Sequence, residues 1–468
     1  MEFNQQRRRL LGSLAGAALA GAWPGFALAE TPRGGVAFLR PKDNGYDEHT
    51  YLFNKCIVKR PALVAVCLNE EGVRQAVARA RSEGLPVAVK SGGHSFEGFS
   101  LNDGGFVIDV SFMTAQQLGA DGRYMAEPAC RLMQTYEYLV PLGRLVPAGS
   151  CAMVGIAGLT LGGGYGIFSR EHGLACDALR SLRIVDGTGE LHEVGEGSEL
   201  FRACRGGGNG NFGVVTQLQF DTVAAPGQLW RHLFKLPDIS AHRAHDCAKT
   251  WFEVSRQLPN TAFSAFVLNH RTLTILVTNS ASTPSPELAT ALTRLEEITD
   301  KRFSDLKEET LRGIRRYYGK LAPLYFKNAS AGFYSGYEDI AAVAPQLFEQ
   351  VVSTPGLLYQ INTMGGAIAE RDDGTRTAYV HRRARYLSEI QSYWEFPSDE
   401  ARLRKAVDTF EARLRDHGVR DHYCNYPDLA YTDWPAAYYG AAGYERLRKV
   451  KAQHDPDNLF RHAQSVRV

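Results

Sequence analysis

One histidine stands among residues with very small side chains in the stretch SGGHS, which runs from Ser91 to Ser95. An imidazole can ligate a metal, act as a general base or fill a core position, and it can also anchor a bulky group covalently. His94 lacks partners at metal-ligand spacing, and Gly92 and Gly93 before it favour a loop. The residues alone leave the base, the core and the anchor interpretations open.

A second glycine-rich stretch, PAGSCAMVGIAGLTLGGGYGIFSR, runs from Pro147 to Arg170. Glycines let the backbone approach a ligand closely, and consecutive bare N–H groups form a concavity that suits phosphate. The stretch is not a Walker A loop, because no Gly-Lys-Ser/Thr follows, and it does not fit the Rossmann fingerprint. Tight turns in a β-rich domain are the alternative for this stretch alone. Two such loops in one chain favour a diphosphate ligand.

Tyrosines near the C-terminus are candidates for acid–base chemistry. If HYCNYPD is extended, alternation places Tyr423 and Asn425 on one face and Tyr426 on the other, unless a bulge intervenes. A phenol with a pKa of about 10 needs a neighbouring cation or a hydrogen bond to its anion to act as a base at neutral pH. The alternative role for both tyrosines is packing.

Two segments of the second half carry polar side chains on one face of a predicted strand. YQINTMGGAI places Gln360 and Asn362 together just before a Gly-Gly pair, and YLSEIQSYW does the same for Glu389 and Gln391. All four side chains can reach a pocket from this half of the chain. A solvated or structural role is the alternative for each of them.

The elements that must position these residues begin with a strand-helix-strand pattern. PALVAVCL predicts a strand, NEEGVRQAVARARSEG predicts a helix capped by Asn69 and ended by Gly84, and LPVAVKSGG and GGFVIDV predict further strands. LRSLRIVDGTGELHEV predicts a hairpin around Asp186 and Gly187. LFRACRGGGNGNFGVVTQLQF predicts a short helix, a glycine loop and a strand. This half is α/β or α+β in style.

The composition changes around residues 221–227, DTVAAPG, which indicates a domain boundary. Beyond it, AFSAFVLNHRTLTILVTNS predicts paired strands, SPELATALTRLEEITD a helix, and the stretch from Arg312 to Lys327 a further helical segment. Strands return at LYQINTMGGAIAE and ARYLSEIQSYW. These patterns predict an antiparallel sheet backed by helices. From about Arg420 the character changes again, with an amphipathic helix in AAGYERLRKVKAQHD.

Composition and charge exclude several classes of partner and site. The 468 residues carry a net charge of +2, so there is no strong basic field, and we expect no nucleic-acid partner. The eight cysteines are irregularly spaced without a C-x-x-C pair, so we expect no metal site. Most of these thiols are expected to be small buried hydrophobic groups.

The first residues, 1–29, have the layout of a secretory signal. A basic run, Arg7 to Arg9, precedes an Ala- and Gly-rich apolar stretch and the small-x-small site Ala27-Leu28-Ala29. Paired arginines are similar to the twin-arginine type of signal, which implies the twin-arginine export machinery as a partner and an exported, periplasmic or secreted protein. The alternative is a membrane anchor, but the apolar stretch is shorter than the about 20 residues of a span. We expect no stable membrane insertion after cleavage.

Four stretches in order, VKSGGHSFEGFS, GSCAMVGIAGLTLGGGYGIFSREHGLACDAL, LFRACRGGGNGNFGVVT and YCNYPD, resemble the berberine bridge enzyme-like family. These are FAD-linked oxidases of the vanillyl-alcohol oxidase superfamily, and the resemblance covers the chain from about residue 50 to its end. It implies an α+β fold with a PCMH-type, two-subdomain FAD-binding domain at residues 30–224. It also implies an antiparallel-sheet substrate domain backed by helices at 225–419, and a C-terminal segment, 420–468, that returns to the FAD domain.

The resemblance implies an FAD attached through two covalent bonds. In the family, the histidine of the GGHS loop bonds to the 8α-methyl of the flavin and the cysteine of G-x-C-x-x-V-G bonds to its 6-position. Carried over, these residues are His94 and Cys151. Further positions are implied to contact the cofactor: Ser91, Gly92, Gly93, Ser95, Val154, Gly155, Gly158, Gly162, Gly163, Gly164, Val215 and Asn425.

The resemblance also implies the chemistry. Relatives that oxidise sugars or alcohols use a tyrosinate from the Y-x-N-Y segment to take the hydroxyl proton while hydride leaves for flavin N5. Tyr426 is favoured for this role over Tyr423. Several carbohydrate-oxidising relatives have a charged group near Asn362, and the amide here weighs against a sugar substrate. Val154, three residues after Cys151, favours access of O₂ to the flavin.

The expectation is therefore an oxidase that takes an alcohol, a sugar or a related small molecule and reduces O₂ to H₂O₂. Two other enzymes are the alternatives: a natural-product oxidative cyclase, and a dehydrogenase that uses another electron acceptor. A flavin-carrying binding protein without turnover is the alternative from a different class.

Overall fold

The first long helix of the chain that the structure describes forms as its sequence predicts. The side chain of Asn69 caps it by accepting the N–H of Gly72 at 2.9 Å, and Gly84 ends it at a φ of 66°. Glycine adopts this left-handed conformation without the steric cost that a Cβ would bring. The prediction of a helix between these two residues is confirmed at Glu70–Glu83.

The computed structural model describes residues 34–299, 302–371 and 376–468, so the predicted signal at residues 1–29 lies outside the described residues. The strands are β1 Val36–Leu39, β2 Leu63–Cys67, β3 Val87–Lys90, β4 Phe106–Asp109, β5 Gln116–Leu118, β6 Arg123–Ala126, β7 Arg144–Leu145, β8 Leu179–Asp186, β9 Leu191–Gly195, β10 Gly213–Asp221, β11 Val223–Ala224, β12 Gln228–Leu236, β13 Ala262–Asn269, β14 Thr272–Asn279, β15 Arg302–Glu309, β16 Tyr325–Tyr334, β17 Leu357–Thr363 and β18 Tyr386–Trp394.

The α-helices are α1 Tyr46–His49, α2 Glu70–Glu83, α3 Leu132–Leu139, α4 Ile156–Leu161, α5 Ser169–His172, α6 Ala175–Ala178, α7 Glu199–Cys204, α8 Ala241–Ser255, α9 Pro286–Thr299, α10 Thr310–Arg315, α11 Ala344–Ser353, α12 Ala367–Glu370, α13 Glu400–Asp416, α14 Trp434–Tyr439 and α15 Ala441–His454. Short 3₁₀ turns lie at Val140–Leu142, Tyr337–Asp339 and Pro397–Asp399.

The strands form three principal sheets. The first is four-stranded in the order β1-β2-β4-β3, with β4 parallel to both β2 and β3. The second is five-stranded and antiparallel in the order β5-β6-β10-β8-β9, and it contains the predicted hairpin of β8 and β9. The third is seven-stranded and antiparallel in the order β15-β12-β14-β13-β17-β18-β16. Mixed helices and antiparallel sheets confirm the α+β class.

One face of the seven-stranded sheet is covered by helices α8, α9, α11 and α13. Their apolar faces and the inward side chains of the strands form a single core, in which Trp251, Phe266 and Phe410 are almost fully buried. Burial of apolar surface is the dominant favourable term in folding, so the side chains on this face stabilise the fold. The opposite face is not covered by these helices, and its side chains can line a site.

The expected helical stretch from Arg312 to Lys327 is wrong over most of its length. The helix spans only Thr310–Arg315, and Tyr325 already begins strand β16. Gly319 has a φ of 66°, and Pro323 lacks a backbone N–H and disfavours a helical residue before it. The chain is therefore free to extend and pair with β18.

The C-terminal segment packs back against the part of the chain that carries the first two sheets. Phe460 pairs with Val87 beside the first sheet. The buried ammonium of Lys451 donates to the carbonyl oxygens of Asn211 and Phe460 and to the carboxylate of Asp455. The predicted amphipathic helix is confirmed as α15. None of the helices in the described ranges is long and apolar enough to cross a membrane.

Candidate active site

A cavity of about 630 Å³ lies between the glycine-rich loops and the uncovered face of the seven-stranded sheet. This volume falls within the about 300–1,000 Å³ of ligand pockets. The cavity brings together most of the residues singled out from the sequence: Ser91, Gly92, Gly93, His94, Ser95, Cys151, Val154, Gly155, Gly158, Val215, Gln360, Asn362, Glu389, Gln391, Tyr423, Asn425 and Tyr426.

The two glycine-rich loops touch each other backbone to backbone. A Cβ on Gly92 would lie 2.6 Å from the backbone nitrogen of Gly155, so only glycine fits this contact. Arg131 fastens the contact, since its Nη1 donates to the carbonyl oxygens of Gly92 at 2.6 Å and Met153 at 2.7 Å. The loops therefore form one continuous wall rather than two separate turns.

His94 stands on this wall with its ring stacked on Phe53, the centroids being 4.0 Å apart. Burial, helped by the positive charge of Arg131, lowers the pKa of His94 to about 3. The imidazole is thus neutral at physiological pH and keeps a nitrogen lone pair. Among the described residues, no group of three metal-ligating side chains includes His94. These features fit an anchor better than a metal ligand.

Cys151 differs from the other cysteines. Its side chain is exposed to the cavity, whereas five of the eight are buried and two are intermediate. The surrounding protein and the nearby Glu389 raise the pKa of Cys151 to about 11. The group is therefore a thiol at neutral pH.

The hydroxyls of the SGGHS loop are engaged by the protein. Ser91 Oγ donates to the carbonyl oxygen of Pro128 at 2.8 Å, and Ser95 Oγ accepts the N–H of Phe99 at 3.0 Å. Both hydroxyls hold the loop in shape. The hydroxyl of Ser95 can still donate a hydrogen bond.

The run Gly162 to Gly164, expected to approach the cofactor, does not line the cavity. A Cβ on Gly162 would lie 2.2 Å from the side chain of Asn425, and a Cβ on Gly163 would lie 2.8 Å from the ring of Tyr379. These glycines allow close packing underneath the site. Their contribution to the cavity wall is indirect, because they allow the segment that contains Tyr423 to pack closely behind the glycine loop.

The segment HYCNYPD is not extended, which corrects the expected alternation of faces. The N–H of Tyr426 donates to the carbonyl oxygen of Tyr423 at 2.8 Å, so the chain turns here. Tyr423 Oη accepts the N–H of Gly164 and the side-chain N–H of Asn425, both at 2.9 Å. Asn425 also donates to the carbonyl oxygen of Leu159 at 3.0 Å. Tyr423 and Asn425 therefore brace the glycine loop.

Tyr426 faces the cavity, with its ring stacked on Phe96 at 5.3 Å. Its hydroxyl lies 2.7 Å from that of Tyr165. Burial, followed by Tyr165 and Glu389, raises the pKa of Tyr426 well above its usual value. Each of these influences favours the neutral phenol over the tyrosinate that a base would require.

The opposite wall is a ladder of polar side chains on strands β17 and β18. Gln360 and Glu389 are paired across these strands. Gln360 Nε2 donates to Asn362 Oδ1 at 2.8 Å, and Asn362 Nδ2 donates to the Tyr165 hydroxyl at 3.2 Å. Gln391 Nε2 approaches Gln360 Oε1 at 3.4 Å. The shared face expected for these four residues is present, and it connects through Tyr165 to Tyr426.

Glu389 is the carboxyl group of this ladder. Burial raises its pKa to about 8, with hydrogen bonds from Gln391 and Asn328 acting in the opposite direction. A carboxyl group with a pKa close to neutral pH can take a proton from a substrate and release it again.

Several cavity residues were missed from the sequence. His462 stacks on Phe99 with centroids 4.2 Å apart, yet nothing in its surrounding sequence distinguishes it. Three polar atoms of the wall are buried without a hydrogen-bond partner in the described structure: Ser100 Oγ, Asn209 Oδ1 and the Tyr318 hydroxyl. Buried polar atoms are seldom left unpaired, so these atoms fit a large polar ligand such as a dinucleotide.

Comparisons with known proteins agree with this geometry. A family model described as an FAD binding domain matches residues 61–195, and one described as berberine and berberine like matches residues 422–467. Xylooligosaccharide oxidase of Thermothelomyces thermophilus is 30% identical over 454 residues, which cover 88% of this chain and 88% of that protein.

Solved structures share the fold. BBE-like 1 of Physcomitrella patens superposes with a TM-score of 0.85 at 22% identity, covering 93% of this chain and 97% of that chain. Glucooligosaccharide oxidase from Acremonium strictum, described with a 6-S-cysteinyl, 8α-N1-histidyl FAD, gives a TM-score of 0.83 at 22% identity, covering 92% of this chain and 97% of that chain.

Proposed function

Because the chain belongs to the berberine bridge enzyme-like family of FAD-linked oxidoreductases, we propose that it oxidises a small hydroxylated molecule with an FAD held by two covalent bonds. The observation that carries this proposal is one cavity in which a neutral imidazole, an exposed thiol and a buried carboxyl group of raised pKa face the same space. FAD, when bound, supplies a two-electron acceptor that takes up a hydride and can be reoxidised by O₂ to give H₂O₂.

His94 and Cys151 are the residues that would hold the flavin. The imidazole is neutral and therefore nucleophilic, and stacking on Phe53 fixes the plane of its ring. The bicovalent flavin described for the glucooligosaccharide oxidase of similar fold supports this assignment. We expect acid-precipitated protein to stay yellow, and peptide mass mapping to find the flavin mass on both peptides. Release of intact FAD from mature enzyme on denaturation would refute the attachment.

Glu389, rather than Tyr426, is our candidate for the base that accepts the proton of the substrate hydroxyl. Its carboxyl group has a pKa of about 8, whereas burial keeps Tyr426 in its phenol form. Gln360 and Asn362 can orient the substrate through their amides, and Tyr165 fixes Asn362 by accepting its hydrogen bond. Tyr426, the residue favoured from the sequence, remains the alternative base.

One assay distinguishes the three candidate functions, which are an oxidase, a dehydrogenase and a binding protein. Purified holoenzyme would be screened against sugars, alcohols and phenols, with H₂O₂ release and O₂ uptake measured together. We expect H₂O₂ in a one-to-one ratio with oxidised substrate, in keeping with the small Val154 beside the cavity. Reduction of an artificial dye without H₂O₂ would favour a dehydrogenase. Inertness towards every electron donor would favour the binding protein.

Export is a separate proposal that follows from residues 1–29. Arg7 to Arg9 and the Ala27-Leu28-Ala29 site support a twin-arginine-type signal. Replacing the three arginines with lysine should leave the protein uncleaved in the cytoplasm. Normal cleavage and export of that variant would overturn the proposal.

A further inference from the structure

A second group of chemically capable side chains lies away from the cavity, where the hairpin of β8 and β9 meets the end of helix α15. Asp186 ends β8, His192 lies in β9 and His454 ends α15, and their ligand atoms lie within 4.8 Å of one another. Among the described residues, no other group of three His, Cys, Asp or Glu side chains meets this criterion. Neither histidine has a role in the proposed oxidation.

The distances are close to those of a metal site. Asp186 Oδ2 lies 2.7 Å from His192 Nε2 and 3.1 Å from His454 Nδ1. The two imidazole rings stand at 89° to each other, with centroids 5.0 Å apart, so both rings present an edge to the same oxygen. In tetrahedral zinc sites, ligands about 2.0–2.2 Å from the ion are separated from each other by about 3.3 Å. The two contacts would have to widen by about 0.6 Å and about 0.2 Å to admit the ion.

The carboxylate is held in place for this role. Asp186 Oδ1 accepts the N–H and the hydroxyl of Thr188, at 2.9 Å and 2.6 Å, and the N–H of Glu190 at 3.1 Å. The other oxygen is left for the imidazoles.

We propose that Asp186, His192 and His454 bind one divalent transition-metal ion, with water completing the coordination. Two imidazoles and one carboxylate form a donor set that suits zinc and its neighbours, whereas magnesium and calcium prefer oxygen ligands. In the ion-free cluster His192 Nε2 and His454 Nδ1 face the carboxylate oxygen as hydrogen-bond donors. Metal binding requires the lone pairs of these nitrogens, so each ring would carry its proton on the other nitrogen once the ion is bound. The irregular cysteine spacing gave no hint of this site, because its ligands are 268 residues apart at the extremes.

The site would fasten the C-terminal segment to the FAD domain. The N–H of Gly187 already donates to the carbonyl oxygen of His454 at 2.8 Å. Eight residues further along the chain, His462 lines the cavity. An ion that bridges the hairpin and helix α15 would thus stabilise the docking of a segment that completes the active site.

The test uses flavin-loaded holoenzyme, freed of metal by a chelator and then titrated with zinc by calorimetry and with cobalt by absorption spectroscopy. We expect one equivalent to bind and the melting temperature to rise. His192→Ala and His454→Ala should each weaken binding by at least about 100-fold, because loss of even an outer-shell partner of a metal ligand costs about 10–100-fold. The matched control is His242→Ala, an exposed histidine paired with Asp246, which should bind as the wild type does.

Two results would overturn the proposal. The first is absence of one-to-one binding in the wild type at millimolar zinc, which would leave the three residues a purely hydrogen-bonded cluster. The second is binding that survives both histidine substitutions, which would place the ion elsewhere. Because the readouts are metal binding and melting temperature, the outcome does not depend on the substrate or on the mechanism of oxidation.

Discussion

Backbone atoms build one wall of the cavity, whereas side chains on paired strands build the other. On the glycine-loop wall, Gly92 and Gly155 touch without room for a Cβ, and Arg131 bonds carbonyl oxygens. On the sheet wall, Gln360, Asn362, Glu389 and Gln391 project from strands whose other face is buried under helices. The shape of the first wall is set by close backbone contacts, and the chemical character of the second wall is set by its polar side chains.

Substitutions on the two walls should therefore have different effects. A side chain added in the glycine loops would displace backbone atoms, so it should reduce both cofactor retention and stability. A substitution on the sheet wall leaves the strand intact, because the ladder side chains face the cavity, so it should change rate or substrate binding while the fold persists. Comparing variants of the two walls tests whether this division holds.

The largest effect is expected for Glu389→Gln. General-base catalysis contributes about 10²–10⁴-fold to the rate, so kcat should fall by about that factor while FAD content is unchanged. The wild-type rate should rise with pH through about 8, because burial raises the pKa of Glu389 to that value and the carboxyl group must be deprotonated to act. Steady-state kinetics from about pH 6 to about pH 10, roughly two pH units on either side of this pKa, measures both effects.

Glu411→Gln is the matched control for a buried carboxyl group outside the cavity. Its pKa is also raised well above normal by burial, and its partner is the hydroxyl of Tyr431. Its rate and pH profile should match those of the wild type. If Glu389→Gln kept the full rate and the same profile, the base would have to lie elsewhere, and the assignment would return to the tyrosines.

The next largest effect is expected for Gly92→Ala. The added Cβ would meet the backbone nitrogen of Gly155 at 2.6 Å, and backbone cannot move aside as a flexible side chain can. Overpacking of this kind costs about 1–3 kcal/mol. We expect a lower free energy of unfolding and reduced FAD content, measured by urea denaturation and flavin absorbance. Gly227→Ala, where no atom lies within 4 Å of the new Cβ, should change neither.

The sequence predicts local elements well where their signals are local. The Asn69 cap and Gly84 stop bound a helix to the residue. The alternation that placed Gln360 with Asn362 holds because β17 is a regular strand between two others. By contrast, HYCNYPD forms a turn rather than a strand, since Tyr423 and Asn425 bond to a glycine loop some 260 residues earlier. A local sequence pattern does not indicate a hydrogen-bond partner that lies so far away in the chain.

The run Gly162 to Gly164 illustrates the same limit. Glycine density indicated a close approach of backbone, and a close approach is present. Its partners, however, are Asn425 and Tyr379, so the run supports the wall from behind. Likewise, the raised pKa of Glu389 arises from its burial in the wall of the cavity between the seven-stranded sheet and the glycine loops. Such burial is created only when distant parts of the chain pack together.

The smallest effect is expected for Tyr426→Phe, and it separates the two assignments of the base most clearly. The substitution keeps the stack on Phe96 and removes one hydrogen bond between neutral hydroxyls, to Tyr165. Such a bond contributes about 0.5–1.5 kcal/mol, so kcat should fall by about tenfold or less, with the pH dependence near 8 retained. Tyr124→Phe, which removes a buried hydroxyl in the five-stranded sheet, is the control for the loss of the atom alone. A loss of more than about 10³-fold together with a vanished pH dependence would identify Tyr426 as the base, and Glu389 would then act only by shaping its surroundings.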